Sequence, residues 1–256
     1  MQEKYWFLKN CRLLEQLEPS QLEWLESRCR MRRFPKNSSV YLPSDQADGV
    51  VLLAEGRVKI CCITAEGKQS ILTFVEPGEL FGELALFDRS SREEFAESIE
   101  ASTVVLIPAD ALRKVIAESP SLAMGVTRLV GLRRRRIERR LKYLLFHSNR
   151  DRIVNLLLEL AEDHGVPGPN DIELRIKLSH QDLASIIGST RESVTVILGK
   201  LQSEGMIRLG RRKIAICDLQ KLAASVDTAP PKLSTNASTP PATPQAALTP
   251  NGPVAG

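Results

Sequence analysis

Residues 188–198, Gly188-Ser189-Thr190-Arg191-Glu192-Ser193-Val194-Thr195-Val196-Ile197-Leu198, decide how this chain is read, because they hold a helix stop, a capping turn and the start of a second helix. Upstream, Ser179 stands three residues before Asp182, the spacing at which a hydroxyl and a carboxylate satisfy the free backbone donors of a helix start. The pattern predicts a short helix that buries Leu183, Ile186 and Ile187 and ends at Gly188. A second helix starts near Thr190, buries Val194, Ile197, Leu198 and Leu201 at helical spacing, and leaves Arg191, Glu192, Ser193 and Thr195 pointing outward. This is the pattern of a helix-turn-helix.

The flanks sharpen that reading. Glu204-Gly205-Met206-Ile207 ends a helix on glycine and enters a strand, and Arg208 through Ile216 reads as a two-stranded wing with Arg211, Arg212 and Lys213 at its tip. A helical hairpin alone is most often core packing. A basic wing beside it is suited to phosphate, so the predicted contacts to double-stranded DNA are Ser179, His180 and Gln181, then Ser189, Thr190, Arg191, Glu192, Ser193 and Thr195, then Arg211, Arg212 and Lys213.

Working outward, residues 1 to about 34 read as short helices, with Pro19-Ser20-Gln21-Leu22-Glu23 as a turn and helix start. From Phe34 to Pro108, short apolar runs are punctuated at Gly49, Gly56, Gly67 and Gly78, giving strands at Val50–Leu53, Arg57–Thr64 and Ser70–Val75. Evenly spaced strands of this kind predict a small antiparallel roll. After Asp110 the period becomes helical. Ala123, Val130, Ile137 and Leu144 recur at seven-residue intervals along a helix from Ser121 to Phe146, with Thr127, Arg134 and Leu141 at the companion positions. One helix between two domains cannot bury such a stripe alone, so Val130, Ile137, Leu141 and Leu144 are read as a homodimer seam, with packing onto the chain's own roll as the alternative. The same helix carries six arginines between Arg133 and Arg140, read first as a solvated face. Phe146-His147-Ser148 is the hinge to a further helix from about Asp151 to Glu162.

The fold class that follows is α+β. An N-terminal antiparallel roll with its leading helices occupies 1–118, a long dimerisation helix and hinge 119–147, a winged helix-turn-helix 148–224, and a disordered Pro/Ala/Thr-rich tail 225–256. Seven of the fifteen prolines lie between Asp227 and Gly256, with Thr-Pro pairs at Thr239, Thr243 and Thr249 and only two charged residues.

Composition sets limits on function. The 256 residues are 43% apolar and carry a net charge of +4, which permits nucleic-acid binding without demonstrating it. No run of roughly 18 apolar residues occurs and the N-terminus is too charged for a signal peptide, so a soluble cytoplasmic chain without membrane contact is expected. The five cysteines, Cys11, Cys29, Cys61, Cys62 and Cys217, are odd in number and scattered, which speaks against a disulfide framework and leaves a thiol-based redox response as a minor alternative. The histidines at 147, 164 and 180 all fall outside the roll, and no spacing suits a metal. No nucleophile elbow or phosphate loop is present, so an enzyme is not expected.

In its order of elements, the chain resembles the Crp/Fnr family of bacterial transcription regulators over about residues 8 to 222. The resemblance rests on Pro77-Gly78-Glu79-Leu80-Phe81-Gly82-Glu83-Leu84-Ala85-Leu86-Phe87 in the roll and on Gly188-Ser189-Thr190-Arg191-Glu192-Ser193-Val194 in the hairpin. It implies a homodimer on a pseudo-palindromic operator, contact with RNA polymerase, and base reading by Arg191 and Glu192. Val196 stands where relatives with a cyclic-AMP-type operator carry a second arginine. The resemblance also implies an effector site at Gly82, Glu83, Leu84 and Ala85, with Arg89, Arg92, Phe95 and Ala96 nearby. Phe95-Ala96 fall where cyclic-nucleotide domains place an Arg-Ser pair for the cyclic phosphate. The adenine-contacting hydroxyls of such domains are replaced by Ile137 and Glu138. No cofactor is evident, cyclic AMP is not expected as the ligand, and an unidentified small-molecule effector stays open. A cyclic-nucleotide-binding regulatory subunit would share the roll but not the hairpin.

Overall fold

The computed structural model describes residues 2–64, 67, 69–88 and 91–233, so Arg89 and the predicted tail from 234 onward lie outside the described residues. Helices α1 (Gln2–Lys9) and α2 (Pro19–Glu26) open the chain, the latter with proline at its first position, where a preset φ costs no hydrogen bond. Strands β1 (Arg30–Phe34), β2 (Ser39–Tyr41), β3 (Gly49–Glu55), β4 (Val58–Ile63), β5 (Gln69–Val75), β6 (Leu80–Phe81), β7 (Phe95–Ser98) and β8 (Ser102–Pro108) follow. They form two antiparallel four-stranded sheets in the orders β1-β8-β3-β6 and β2-β7-β4-β5.

β1 corrects the reading of helices up to residue 34. Its arginine-rich sequence carries no strand pattern, and it is a strand because Arg30 through Phe34 pair in register with Leu106 through Ser102. Charged side chains on such a sheet edge also guard it against pairing with other chains. The inner faces of the two sheets enclose Tyr41, Val51, Leu53, Val58, Ile60, Val75, Phe81, Ala96 and Val104. The opposite face of the β3–β8 pair, with Val50, Leu52, Val105 and Ile107, is covered by α1, α2, α3 (Ala109–Glu118) and the start of α4 (Pro120–Phe146). β3 is therefore apolar on both faces, which explains its unbroken Val-Val-Leu-Leu run.

α4 is one unbroken helix over nearly the predicted span from Ser121 to Phe146, and α5 (Asn149–His164) begins on a reciprocal cap between Ser148 and Asp151. Then come β9 (Gly165–Pro167), β10 (Ile172–Leu174), α6 (His180–Ile187), α7 (Arg191–Ser203), β11 (Ile207–Gly210), β12 (Lys213–Ile216) and α8 (Leu219–Ala224). The third sheet has the order β11-β12-β10-β9. The two short strands β9 and β10 were too brief to show in the sequence.

The C-terminal module is docked on the roll. Cys61 and Ile71 on the outer face of β4 and β5 belong to the same buried cluster as Leu157, Leu183 and Leu198, and Ser70 Oγ donates to the Ser185 carbonyl at 3.1 Å. The arginine run of α4 is accordingly not a plain solvated face. Arg136 reaches Glu159 and Asp163 at 3.4 and 3.3 Å, and Arg140 reaches Glu159 and the carbonyls of Ile71 and Leu72, while Arg135 and Arg139 stay exposed. At the hinge, Arg152 donates to the carbonyls of Tyr143, Leu144 and His147 at 3.2, 2.7 and 3.0 Å, placing a cation at the negative end of α4. Nothing in the sequence singled out Arg152. Among the described residues no helix is long and apolar enough to cross a membrane.

Candidate nucleic-acid interface and effector site

The hairpin is built by its caps. Ser179 Oγ accepts from Asp182 N at 3.1 Å and donates to the Asp182 carboxylate at 2.6 Å, which in turn accepts from Ser179 N at 2.8 Å. Gly188 closes α6 in the left-handed region at φ 66°, and a Cβ there would lie 3.1 Å from Leu144 of α4, so glycine serves both the turn and the close approach of the long helix. Thr190 caps α7, its hydroxyl accepting from Ser193 N at 3.2 Å and donating to Ser193 Oγ at 3.1 Å. Each cap of this kind stabilises its helix by about 1 kcal/mol.

These bonds divide the predicted contact residues. The hydroxyls of Ser179, Thr190 and Ser193 hold helix ends. Thr195 Oγ donates to the Arg191 carbonyl at 2.9 Å and contacts His180 Nδ1 at 2.8 Å, so it too is engaged within the hairpin. Because the hydroxyl proton goes to Arg191, Thr195 accepts from the imidazole Nδ1–H. Gln181 is exposed, and its amide lies 3.5 Å from Ser185 Oγ. Ser189 is half-buried. Arg191 and Glu192 remain exposed in the first turn of α7, and Glu192 lies on the face opposite the fully buried Val194, Leu198 and Leu201.

The wing is a β11–β12 hairpin paired from Ile207↔Ile216 to Gly210↔Lys213. Arg211 and Arg212 at its tip are exposed. Lys213 differs from the expectation for the tip: its ammonium is held 2.7 Å from Glu173 across the sheet, and that pairing pulls the Glu173 carboxyl below the usual range. Arg208 is likewise paired, with Asp171.

The effector-site candidates converge in part. Gly82, at φ 68°, begins a 3-10 turn over Glu83–Leu86. Glycine suits that left-handed φ, and a Cβ would lie 2.5 Å from Nη1 of Arg92 and push the guanidinium aside. The Arg92 guanidinium stacks 4.0 Å over the Tyr41 ring and donates to the Gly49 carbonyl at 2.7 Å. Glu83 is paired with Arg133 of α4, which also bonds the Leu80 carbonyl. Tyr41 donates to Glu94 at 2.7 Å, and burial raises the Glu94 carboxyl above its ordinary range. Ala85 is buried, while Leu84 is exposed.

Two of the predicted residues stand elsewhere. Ala96 is fully buried in the inner core opposite Ile60 and Tyr41, and Phe95 packs against the cluster shared with the C-terminal module. Alternation along β7 sends their side chains to opposite faces, so the pair cannot act as one phosphate clamp. Glu94 and Arg133 are the site residues that sequence reasoning missed. Both are reached across the fold, and only the i, i+4 relation of charges on α4 was visible locally.

Of the seam residues, Ile137, Leu141 and Leu144 are exposed, together with Leu145, and Val130 is half-buried. Arg134, at a companion position of this stripe, has Glu138 at 2.8 Å. Burial raises the thiols of Cys11 and Cys61 to about 11 and that of Cys29 to about 12, which makes poor nucleophiles of the three and weakens the redox reading.

Comparison with known proteins agrees with this architecture. Residues 31–119 match the cyclic nucleotide-binding domain and residues 151–225 the Crp-like helix-turn-helix domain. A CRP-like cAMP-activated global transcriptional regulator of Mycobacterium tuberculosis is 29% identical over 211 residues, 82% of this chain and 94% of that protein. A global nitrogen regulator of Nostoc sp. is 31% identical over 185 residues, 72% of this chain and 83% of that protein. The solved structure of a CRP/FNR-family transcriptional regulator from Thermus thermophilus superposes with a TM-score of 0.65 at 28% identity, covering 78% of this chain and 99% of that one. With an exposed Arg191–Glu192 pair on a capped α7, a basic wing, and matched domains at both ends of one long helix, the chain belongs to the Crp/Fnr family of DNA-binding transcription regulators.

Proposed function

We propose that the chain acts as a homodimer, joined along α4, that sets two copies of α7 into successive major grooves of a pseudo-palindromic operator and meets RNA polymerase there. The observation that carries this is the exposed apolar stripe Ile137, Leu141, Leu144 and Leu145, which a single chain leaves in water and a second α4 would cover. Arg191 and Glu192 then face base edges, a guanidinium toward guanine and a carboxylate toward the cytosine amino group, each worth about 1–3 kcal/mol of discrimination. Arg211 and Arg212 face the phosphates.

The sensor works without cyclic AMP in this proposal. Among the described residues the cation set against Gly82 is Arg92, already committed to the Tyr41 ring and the Gly49 carbonyl, while Arg133 is paired with Glu83. A phosphate withdrawn from water without a free fixed cation loses more than base stacking returns. Calorimetry of the purified protein with cyclic AMP tests this: no saturable heat is expected. Tight binding that also strengthens operator affinity would show that Arg92 leaves Tyr41 for the ligand, and this part of the proposal would fall.

A further inference from the structure

Two residues on the outer face of α7 have no explanation within the fold. Val196 is 58% exposed, lies outside every buried cluster of the module, and is a β-branched residue that gains nothing in a helix unless it packs. Gly199 sits in the interior of the same helix, where only proline is a poorer choice. Its φ is not in the left-handed range, and a Cβ built there would meet nothing within 4 Å. Neither a turn nor a close intramolecular approach asks for glycine.

Placed on the helix, the two fall together. Residues 192, 196, 199 and 203 follow one another at i, i+4, i+7 and i+11, a single line down the face opposite Val194, Leu198 and Leu201. Glu192 heads the line, Val196 stands one turn below it, and Gly199 leaves the next step bare. An exposed isopropyl group beside a bare backbone is an apolar shelf on a polar face. In the major groove the one apolar group that a base pair presents is the C5-methyl of thymine.

We propose that Val196 reads a thymine methyl in each half-site and that Gly199 keeps this face of α7 low enough for the groove edge to reach it. The proposal rests on α7 being the element that enters the groove. It assigns this chain an operator position different from that of relatives with arginine at the place of Val196: an A·T pair, read by contact, where they take a G·C pair by hydrogen bonds.

The test starts from the duplex that full-length wild-type protein selects out of random DNA. Each thymine of its half-sites is replaced in turn by deoxyuridine, which removes the methyl and leaves base pairing intact. One symmetric thymine pair is expected to matter: its replacement weakens wild-type binding about fourfold per half-site, or about 15-fold for both, the value of one buried methyl group. Val196→Ala should be insensitive to the same change and melt as wild type does, its side chain being exposed. Gly199→Ala should raise the Tm by about 2–4 °C, as a better helix former on an unpacked face, yet bind DNA about tenfold more weakly through the added Cβ. Wild-type indifference to deoxyuridine at every position, or an equal penalty in Val196→Ala, overturns the methyl contact. Full affinity in Gly199→Ala overturns the clearance role. If no sequence is selected at all, α7 is not the reader, and the premise fails rather than this assignment.

Discussion

Arg212 sits at φ 55° on the wing tip, a backbone region that costs most side chains about 1–2 kcal/mol and that asparagine tolerates better. An exposed arginine kept in so unfavourable a place points to its charge. Arg212→Asn should therefore melt no lower than wild type, weaken binding to all DNA sequences alike, and reduce the slope of log affinity against log salt by about one per half-site, or about two for the dimer. Arg191→Ala should instead relax preference at one base pair per half-site by about 1–3 kcal/mol and leave the salt slope nearly unchanged. Affinities measured across a salt series on matched and mismatched duplexes separate the two; a sequence-selective loss in Arg212→Asn would contradict the phosphate role. Sequence showed the residue types and the outward face of α7, so Arg191, Glu192, Arg211 and Arg212 were legible. That Lys213 is held by Glu173, 40 residues away, and Thr195 by His180 was not, because both partners arrive through tertiary packing.

At the scale of elements, α4 carries the most. Its seven-residue apolar repeat was readable because that period depends only on the spacing of residues along one helix. The division of its arginines was not, since it depends on where the roll and the C-terminal module lie: Arg133 to Glu83, Arg136 and Arg140 to Glu159, Arg135 and Arg139 to solvent. Strand β1 was hidden for the same reason, being made by its pairing with β8 rather than by its own composition. The exposed Ile137 on the stripe gives the expected outcome for α4: Ile137→Asp places an unpaired charge in the seam and should yield a monomer with little operator affinity. Sedimentation decides it, because an unchanged dimer mass would exclude this interface.

For the whole molecule, the joint between the C-terminal module and the roll was invisible in the sequence, and it carries a titratable contact. His164, at the end of α5, lies 3.6 Å from Glu76 just after β5, and burial holds its pKa below the ordinary 6.5 against the opposing pull of Glu76. Above 6.5 the imidazole is neutral folded and unfolded, and adds no slope. Below it the unfolded chain binds a proton that the folded chain resists, so stability falls as pH falls through this range. The drop in Tm between about pH 7.5 and 5.5 should thus be smaller in His164→Gln than in wild type; an equal drop would remove His164 as a cause. The central claim, a dimeric reader of symmetric DNA, is tested most directly by selecting bound duplexes from random sequence with the full-length protein. The account predicts an inverted repeat with half-site centres about one helical turn, roughly 10–10.5 base pairs, apart. Enrichment of an asymmetric site, or of none, would contradict it.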